Sequence, residues 1–254
     1  MFQLLHFSDC HLFADPTGEI GGVCSAEALE RILASARAWA GTTHMAIITG
    51  DLSQDGEPES YALAERMFAP LHVPVYAVPG NHDPKGQMQL ALTGHPIAWQ
   101  RSVVAGGWHM IFLDSTHPDP DNPAGELPAK ELSALEETLQ THPELPTLIA
   151  LHHQPVPLET PWMNRMALAN PDDFFAILTR HPWVKCVLFG HVHHPFDGVQ
   201  QGIRLLSAPS TCVQFATGTE NPVFITDSPG YRWLRLYPDG LLETGVNGVQ
   251  VHSS

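Results

Sequence analysis

The sequence predicts a mixed α/β fold in which two mixed β-sheets pack face to face and helices cover their outer surfaces. Two observations favour this architecture. Apolar strand-like segments alternate with amphipathic helical segments before residue 196, and only short β-like segments follow it. Alternation is typical of parallel sheets covered by helices, whereas consecutive short strands usually pair antiparallel. Together these patterns predict sheets that contain both kinds of pairing.

The chain begins as a β-α-β-α-β succession. Apolar runs predict strands over 2–8, 45–49 and 73–78. A stripe of apolar residues at helical spacing predicts a helix over 25–40, with Ser25 as its N-cap. A second helix is predicted from Pro58, a residue that suits the first helical turn, to about residue 69.

The alternation continues and then gives way to strands. Strands are predicted over 109–113, 147–151 and 184–189, with a helix over 128–140 and another that starts after the cap Asn170. The later strands are predicted over 204–206, 213–216, 223–226, 231–237 and 241–246, with a hairpin turn at Asp239 and Gly240. The two longest loops, 117–128 and 155–168, are expected to face the substrate.

Length and charge narrow the possible classes of protein. A chain of 254 residues, 43% of them hydrophobic, can bury a sizeable core, and we predict a single domain over 1–254. The net charge of −15, with only 12 lysine and arginine residues, disfavours nucleic acids and anionic membranes as partners. A small phosphorylated substrate is still compatible, because two bound dications would reverse the local charge.

Cysteine usage and the N-terminal region indicate the compartment. The four cysteines show no CxxC spacing, which favours a reducing environment. No basic segment typical of a signal peptide is present, and no apolar run approaches the roughly 18 residues of a membrane-spanning helix. We therefore expect a cytoplasmic protein.

Five short polar clusters each follow an apolar run. They comprise Asp9 with His11, Asp51, Asn81 with His82, His152, and His191 with His193. Strands that end in this way would bring oxygen and nitrogen donors to one edge of a sheet, where two divalent cations fit. Such a site is typical of phosphoester hydrolysis. Cys10 would point away from its neighbours by the alternation of a strand, so we expect a buried thiol rather than a ligand.

Seven short runs together resemble one known family. They are distributed from residue 8 to residue 233, so the resemblance extends over almost the whole chain. They read SDCHLF at 8–13, GDLS at 50–53, PGNHD at 79–83, LHH at 151–153, GHVH at 190–193, PSTCVQF at 209–215 and PGYRW at 229–233. This set resembles the calcineurin-like metallophosphoesterases and, within them, the class III cyclic nucleotide phosphodiesterases, the bacterial cyclic AMP phosphodiesterase group. The resemblance implies a four-layer α/β/β/α sandwich of two mixed sheets flanked by helices.

The resemblance also implies a dinuclear metal centre in which Asp51 bridges two ions. The two ligand sets that it implies are Asp9, His11, Asp51 and His193 for one ion, and Asp51, Asn81, His152 and His191 for the other. Mixed nitrogen and oxygen ligands without thiolate favour iron or manganese, and zinc, cobalt or magnesium are compatible.

The implied reaction is the hydrolysis of 3',5'-cyclic AMP to 5'-AMP by in-line attack of a metal-bridging hydroxide. His82 is expected to protonate the departing oxygen or to stabilise the transition state, which makes His82 and Asp51 the candidate catalytic residues. Asp83 either orients the His82 imidazole or caps the turn before Pro84. The candidate substrate-binding residues are His11, Asp51, Asn81, His82 and His193.

Other functions remain open on the same scaffold. They are hydrolysis of glycerophosphodiesters, 2',3'-cyclic nucleotides or phosphomonoesters, pyrophosphate cleavage of a lipid precursor, and a catalytically silent, metal-binding interaction protein. Protein Ser/Thr phosphatases carry Gly-Asp-x-x-Asp-Arg-Gly, whereas the run here is GDLSQDG at 50–56. The lipid-precursor pyrophosphatases usually carry arginine at the position of His82. Retention of all seven ligands and His82 favours an active enzyme over a silent one.

The remaining histidines and aromatic residues are assigned structural roles. His153 and His194 each follow a ligand and could hydrogen-bond a ligand group or the substrate. Trp162, Tyr231 and Trp233 could stack on a base, but aromatic residues in loops and strands are more often buried, so they are assigned to the core. The other histidines, expected to be solvated or hydrogen-bonded, are His6, His44, His72, His95, His109, His117, His142, His181 and His252.

Overall fold

The computed structural model describes residues 1–39, 41–84, 86–92, 94–226 and 228–249. Ala40, where the first predicted helix ends, and His252 lie outside the described residues. Within these ranges, no helix combines the length and the apolar character needed to cross a membrane.

Helices and strands alternate through most of the chain. The described α-helices are α1 Ser25–Ala36, α2 Pro58–Phe68, α3 Gln87–Ala91, α4 Ala129–Leu139, α5 Pro161–Asn164 and α6 Pro171–Leu178. The strands up to residue 112 are β1 Phe2–Phe7, β2 Glu19–Ile20, β3 Val23–Cys24, β4 Met45–Thr49, β5 Val75–Val78, β6 Ile97–Ala98, β7 Ser102–Ala105 and β8 Trp108–Phe112. The later strands are β9 Thr147–Ala150, β10 Val184–Phe189, β11 Phe196–Gln200, β12 Ile203–Ser207, β13 Gln214–Phe215, β14 Phe224–Ile225, β15 Gly230–Leu236 and β16 Leu242–Gly248.

Two six-stranded mixed sheets form the centre of the molecule. The first has the strand order β16-β15-β1-β4-β5-β6, in which β1, β4, β5 and β6 run parallel and β15 and β16 pair antiparallel. The second has the order β11-β12-β10-β9-β8-β7, with antiparallel strands at both edges. Two short pairs, β2 with β3 and β13 with β14, lie outside these sheets.

The core is divided into three apolar layers, as the predicted sandwich requires. Adjacent residues of β1 show the division, because side chains alternate between the faces of a strand. Leu4 packs between the two sheets with Ile47 and Leu188, whereas Leu5 packs outward with Leu29 of α1. A third cluster joins the second sheet to α4 and α6. The structure therefore confirms the four-layer α/β/β/α architecture.

Each predicted strand is present, with ends shifted by at most two residues. The α-helical part of the first predicted helix ends at Ala36 and is followed by a 3-10 turn over Arg37–Trp39. The short strands β2 and β3 and the edge strands β6, β7 and β11 were not predicted. The β11 segment Phe196–Gln200 contains an exposed aspartate and a glycine, so it lacks the apolar pattern of the central strands.

Of the two predicted helix caps, Ser25 is wrong and Asn170 occupies the predicted position. Cys24 occupies the N-cap of α1, and Ser25 is the first helical residue, with its backbone N–H donating to the Gly18 carbonyl. Asn170 does precede α6, but its side chain makes no cap bond. It instead donates to the carbonyl of Leu127 and accepts from that residue's N–H, which ties the helix start to the loop before α4.

Candidate metal centre

The predicted ligands lie at the carboxyl ends of five parallel strands. Asp9 and His11 follow β1, Asp51 follows β4 and Asn81 follows β5, all in the first sheet, while the remaining histidines follow β9 and β10 of the second. Carboxyl ends of parallel strands meet at one edge of a sheet. Backbone hydrogen bonds join the loops, among them His11 N–H to the Asp51 carbonyl at 2.8 Å. The structure thereby brings all seven predicted ligands together.

The first group of ligands surrounds His193. The Nε2 atoms of His193 and His11 lie 3.0 Å apart. Asp9 Oδ1 is 3.4 Å from His193 Nε2, and Asp51 Oδ2 is 3.7 Å from His11 Nε2. All four side chains are buried.

The second group surrounds His152. Its Nε2 lies 3.4 Å from Asp51 Oδ2, 3.1 Å from Asn81 Oδ1 and 3.1 Å from His191 Nδ1. Asp51 Oδ2 therefore contacts both groups, as the predicted bridging ligand must.

Hydrogen bonds to backbone carbonyls determine which ring nitrogen of His152 and of His193 presents a lone pair to the centre. Nδ1 of His152 lies 2.7 Å from the Thr49 carbonyl, and Nδ1 of His193 lies 2.7 Å from the Val213 carbonyl. A carbonyl only accepts, so Nδ1 carries the hydrogen and the neutral ring presents a lone pair at Nε2. Lone pairs and carboxylate oxygens that converge in this way fit divalent cations.

The charges of the buried groups also suit metal binding. Burial opposes ionisation of both aspartates, but His193 lowers the pKa of Asp9 and His152 holds the pKa of Asp51 well below its usual range. Burial, assisted by His153, keeps the pKa of His191 far below its ordinary value, so that ring stays neutral. Burial also disfavours a proton on His152, yet the Asp51 carboxylate raises its pKa to about 9. A bound cation would displace that proton.

The ligand loops have a strained backbone. Five predicted ligands adopt positive φ angles: Asp9 54°, His11 48°, Asp51 49°, His191 70° and His193 54°. Among the other described non-glycine residues only His72, Gln201 and Ser228 do so. Residues with side chains rarely occupy this region, and such strain concentrates at functional sites.

One glycine makes the close approach of these loops possible. Gly50 has φ +88°, and a Cβ at this position would collide with the His152 imidazole and lie 2.9 Å from the Gly80 Cα. Only a residue without a side chain allows the β4 loop to pass so close to the His152 ring.

His82 lies at the mouth of the site, where it is partly buried. Its backbone N–H donates to Asp51 Oδ1 at 2.9 Å, and its ring packs edge-on against His11 with 5.1 Å between centroids. A ring nitrogen lies within 4.8 Å of ligand atoms of His11 and Asp51. The imidazole is therefore close enough to reach a group bound at the metal centre.

A cleft of about 260 Å³ opens over the centre. One part of its wall consists of ligand residues together with His82 and Gln54. The other part is apolar and consists of Ile20, Pro123, Met163, Met166, Phe215 and Phe224. The cleft thus joins a polar surface of predicted metal ligands to an apolar wall.

The family described as calcineurin-like phosphoesterase matches residues 2–195, which include every predicted ligand. The chain belongs to this family. Its similarity to characterised sequences extends beyond the matched region. It is 38% identical to the 3',5'-cyclic adenosine monophosphate phosphodiesterase CpdA of Pseudomonas aeruginosa, over 97% of this chain and 89% of that protein. It is 34% identical to the 3',5'-cyclic-nucleotide phosphodiesterase alr5338 of Nostoc sp., over 97% and 92%.

Solved structures agree with the fold of this phosphoesterase. A dimetal phosphatase from Danio rerio superimposes with a TM-score of 0.70 at 15% identity, covering 97% of this chain and 95% of that one. TT1561 of Thermus thermophilus superimposes with a TM-score of 0.63 at 16% identity, covering 96% and 98%. The likeness at such low identity shows that the sandwich is shared.

Asp83 does not orient the His82 imidazole in this phosphoesterase, so that alternative is wrong. Its buried carboxylate accepts from the backbone N–H groups of Leu52, Ser53 and Gly80 at 2.9 to 3.2 Å and from the Tyr61 hydroxyl at 3.0 Å. Burial, and then the charge of Asp51, raise the pKa of Asp83 to about 6. Its role is to hold the loops after β4 and β5 together.

Residues next to the ligands have structural roles. His153 is buried, with Nδ1 2.9 Å from Ser115 Oγ and Nε2 3.2 Å from the Pro123 carbonyl, and its ring packs against that of His152. Nδ1 of His194 lies 2.7 Å from the Val192 carbonyl. Cys10 is buried in the apolar layer under α1 and α2, as predicted. Of the aromatic residues assigned to the core, Trp162 and Tyr231 are buried.

Two features of the site were not predicted. Gln54 contacts a predicted ligand and the predicted proton donor. Its Oε1 lies 2.7 Å from His11 Nδ1, and its carbonyl lies 3.4 Å from His82 Nδ1. Its position in the loop that carries Asp51 is the only signal of this in the sequence. The apolar wall was also missed, although Phe215 lies within the run 209–215 that contributes to the family resemblance.

Proposed function

We propose that this phosphoesterase hydrolyses 3',5'-cyclic AMP to 5'-AMP at a two-metal centre. The observation that carries the proposal is the convergence of seven metal-binding side chains into two groups that share Asp51 Oδ2. The relatives from Pseudomonas aeruginosa and Escherichia coli, 38% and 35% identical, are both named cyclic AMP phosphodiesterases, and they align over nearly the whole chain.

The ligand groups assign residues to each ion. We propose that Asp9, His11, Asp51 and His193 hold one cation and that Asp51, Asn81, His152 and His191 hold the other. Two divalent cations there would lower the pKa of a bound water and neutralise charge on the phosphoryl oxygens. We expect iron or manganese first, since the ligands are imidazole, carboxylate and amide groups, and zinc, cobalt and magnesium are alternatives.

His82 is the proposed proton donor. In the reaction, water adds to phosphorus, the bond from phosphorus to the 3' oxygen breaks, and that oxygen leaves as a hydroxyl group. Nδ1 of His82 is directed at the Gln54 carbonyl, 3.4 Å away, so Nδ1 carries one hydrogen. The proposed donor is therefore the imidazolium form of the ring, whose second proton, on Nε2, passes to the leaving oxygen.

His11, Asn81 and His193 contribute to substrate binding in this scheme together with Asp51 and His82, because all five line the cleft over the centre. Their positions on short loops between rigid strands would fix the phosphoryl group for in-line attack. The proposed partner is accordingly a small phosphodiester. We also propose a single domain and a reducing, cytoplasmic environment, the latter because the four cysteines are free thiols.

A comparison of substrates tests the proposal. Manganese-loaded protein is assayed for kcat/KM on cyclic AMP, cyclic GMP, 2',3'-cyclic AMP and a glycerophosphodiester, with chelator-treated protein as the control. The highest value is expected for cyclic AMP. A much higher kcat/KM for the glycerophosphodiester would show that this compound, and not cyclic AMP, is the preferred substrate. No hydrolysis of any phosphodiester by the loaded protein would favour the silent interaction protein instead.

A further inference from the structure

We propose that the apolar wall of the cleft binds the heterocyclic base of the nucleotide. Five residues of this wall, Ile20, Met163, Met166, Phe215 and Phe224, are called the base slot below. The inference rests on the proposed function, because it identifies the part of the site that would recognise a nucleotide rather than a bare phosphoester.

Phe215 joins the base slot directly to the metal centre. Its ring stacks on that of the ligand His193, with 4.3 Å between centroids and 29° between planes. Phe224 stacks on Phe215 with 5.3 Å between ring centroids and 24° between planes. Trp162 packs edge-on against Phe215 with 4.8 Å between centroids. The aromatic stack therefore runs outward from a ligand to the rim of the cleft.

Three separate segments contribute to the slot. Ile20 comes from the β2–β3 hairpin, Met163 and Met166 from the loop over 155–168, and Phe215 and Phe224 from the paired strands β13 and β14. Phe224 is 47% exposed although it is a large apolar side chain. Apolar surface exposed at the mouth of a cleft indicates a ligand-binding surface.

The chemistry of the slot fits a flat aromatic group. Phenylalanine rings stack on bases without requiring a particular sequence, and methionine sulfur contacts aromatic rings favourably. The cleft volume of about 260 Å³ lies just below the usual range of roughly 300 to 1,000 Å³ for small-molecule pockets, so its size suits a small ligand. A phosphoryl group held at the metal centre would leave the rest of the nucleotide within this same cleft.

Phe224→Ala is the variant that tests the slot, with Ile225→Ala as its matched control. The two residues are neighbours on β14 and are 47% and 38% exposed, so neither substitution should unfold the protein. Side chains of adjacent residues point to opposite faces of a strand, and Phe224 lines the cleft whereas Ile225 is not among its lining residues.

Each manganese-loaded protein is assayed on cyclic AMP and on 1-O-methylribose 3',5'-cyclic phosphate, which has the same phosphodiester ring and no base. Wild type is expected to prefer cyclic AMP by about tenfold or more in kcat/KM, since stacking on one base is worth about that factor. Phe224→Ala should remove most of this preference through a higher KM for cyclic AMP. Ile225→Ala should retain it.

Calorimetry provides a second readout. It compares the dissociation constant of 5'-AMP with that of ribose 5-phosphate, which has no base. The same dependence on Phe224 is expected. Equal binding of the two by wild type, or an equal loss of kcat/KM on both cyclic substrates in Phe224→Ala, would overturn the base slot. Tighter binding of decyl phosphate than of 5'-AMP would assign the slot to an alkyl chain. If wild type hydrolyses neither cyclic substrate but still prefers 5'-AMP through Phe224, the proposed function fails and the base slot stands.

Discussion

In the proposed mechanism, Asp51 binds both metal ions and His82 transfers a proton. Asp51 Oδ2 contacts ligand nitrogens of both groups, while Asp51 Oδ1 accepts the backbone N–H of His82. The same carboxylate therefore links the two ligand groups and fixes the loop that carries His82. This arrangement separates the expected effects of changing the two residues.

His82→Ala should keep the metals and lower kcat. The His82 ring is directed by the Gln54 carbonyl rather than by a ligand, and loss of a general acid costs about a hundredfold to ten-thousandfold in rate. Metal content and kcat measured on the same preparation check this. Asp51→Ala should lose both ions, and His142→Ala, at a half-buried residue outside the site, should match wild type in both. Equal metal loss in His82→Ala and Asp51→Ala would contradict the division.

Asp83→Ala should destabilise the protein rather than act on the proton transfer. Removing the carboxylate leaves the N–H groups of Leu52, Ser53 and Gly80 without their acceptor, and we expect a loss of about 3 kcal/mol or more in the free energy of unfolding. Tyr61→Phe removes one donor and keeps the acceptor, so about 1 kcal/mol is expected. Denaturant unfolding measures both. A loss for Asp83→Ala no larger than that for Tyr61→Phe would show that the loops hold together without Asp83.

At the scale of the elements, the site depends on loops that follow parallel strands and approach one another closely. The loop after β4 passes against the second sheet at His152, and the glycine there has no side chain to obstruct it. Because the ligand backbone is already strained at five positions, small displacements of a loop should move ligand atoms out of reach.

Gly50→Ala tests this close approach, and Gly202→Ala is its matched control. Both glycines have positive φ angles, +88° and +82°, so both substitutions strain the backbone. Only at Gly50 would the new Cβ collide with the His152 imidazole, whereas nothing lies within 4 Å of it at Gly202. Gly202→Ala should cost about 1 to 2 kcal/mol of stability and keep metal binding. Gly50→Ala should lose metal affinity, and equal metal content in the two variants would contradict this.

The central elements were predictable because their apolar runs are buried on both faces and end in polar residues. β4 and β10 have the predicted bounds for this reason. Edge strands such as β11 and the short β2–β3 pair lack that pattern, so their positions depend on tertiary contacts. The Asn170 side chain makes no cap bond because it bonds across to Leu127 instead of to its own helix.

At the scale of the whole molecule, face-to-face packing of two sheets assembles the site. The first sheet supplies both aspartates, His11 and Asn81, and the second supplies the remaining histidines, so neither sheet alone holds a complete ligand group. The ligand residues could be predicted from their places after strands. The base slot could not, because its three segments are distant in sequence and their apolar side chains show no periodic pattern.

Titration of metal-free protein with Mn²⁺ tests the proposed two-metal centre most directly. Bound ions per chain and the rate of cyclic AMP hydrolysis are measured in the same titration. The expected result is no hydrolysis without metal, and activity that reaches its plateau as the second ion binds. Asp51→Ala should bind neither ion tightly. Full activity of the metal-free protein, or a plateau at one ion per chain, would contradict a shared two-metal centre.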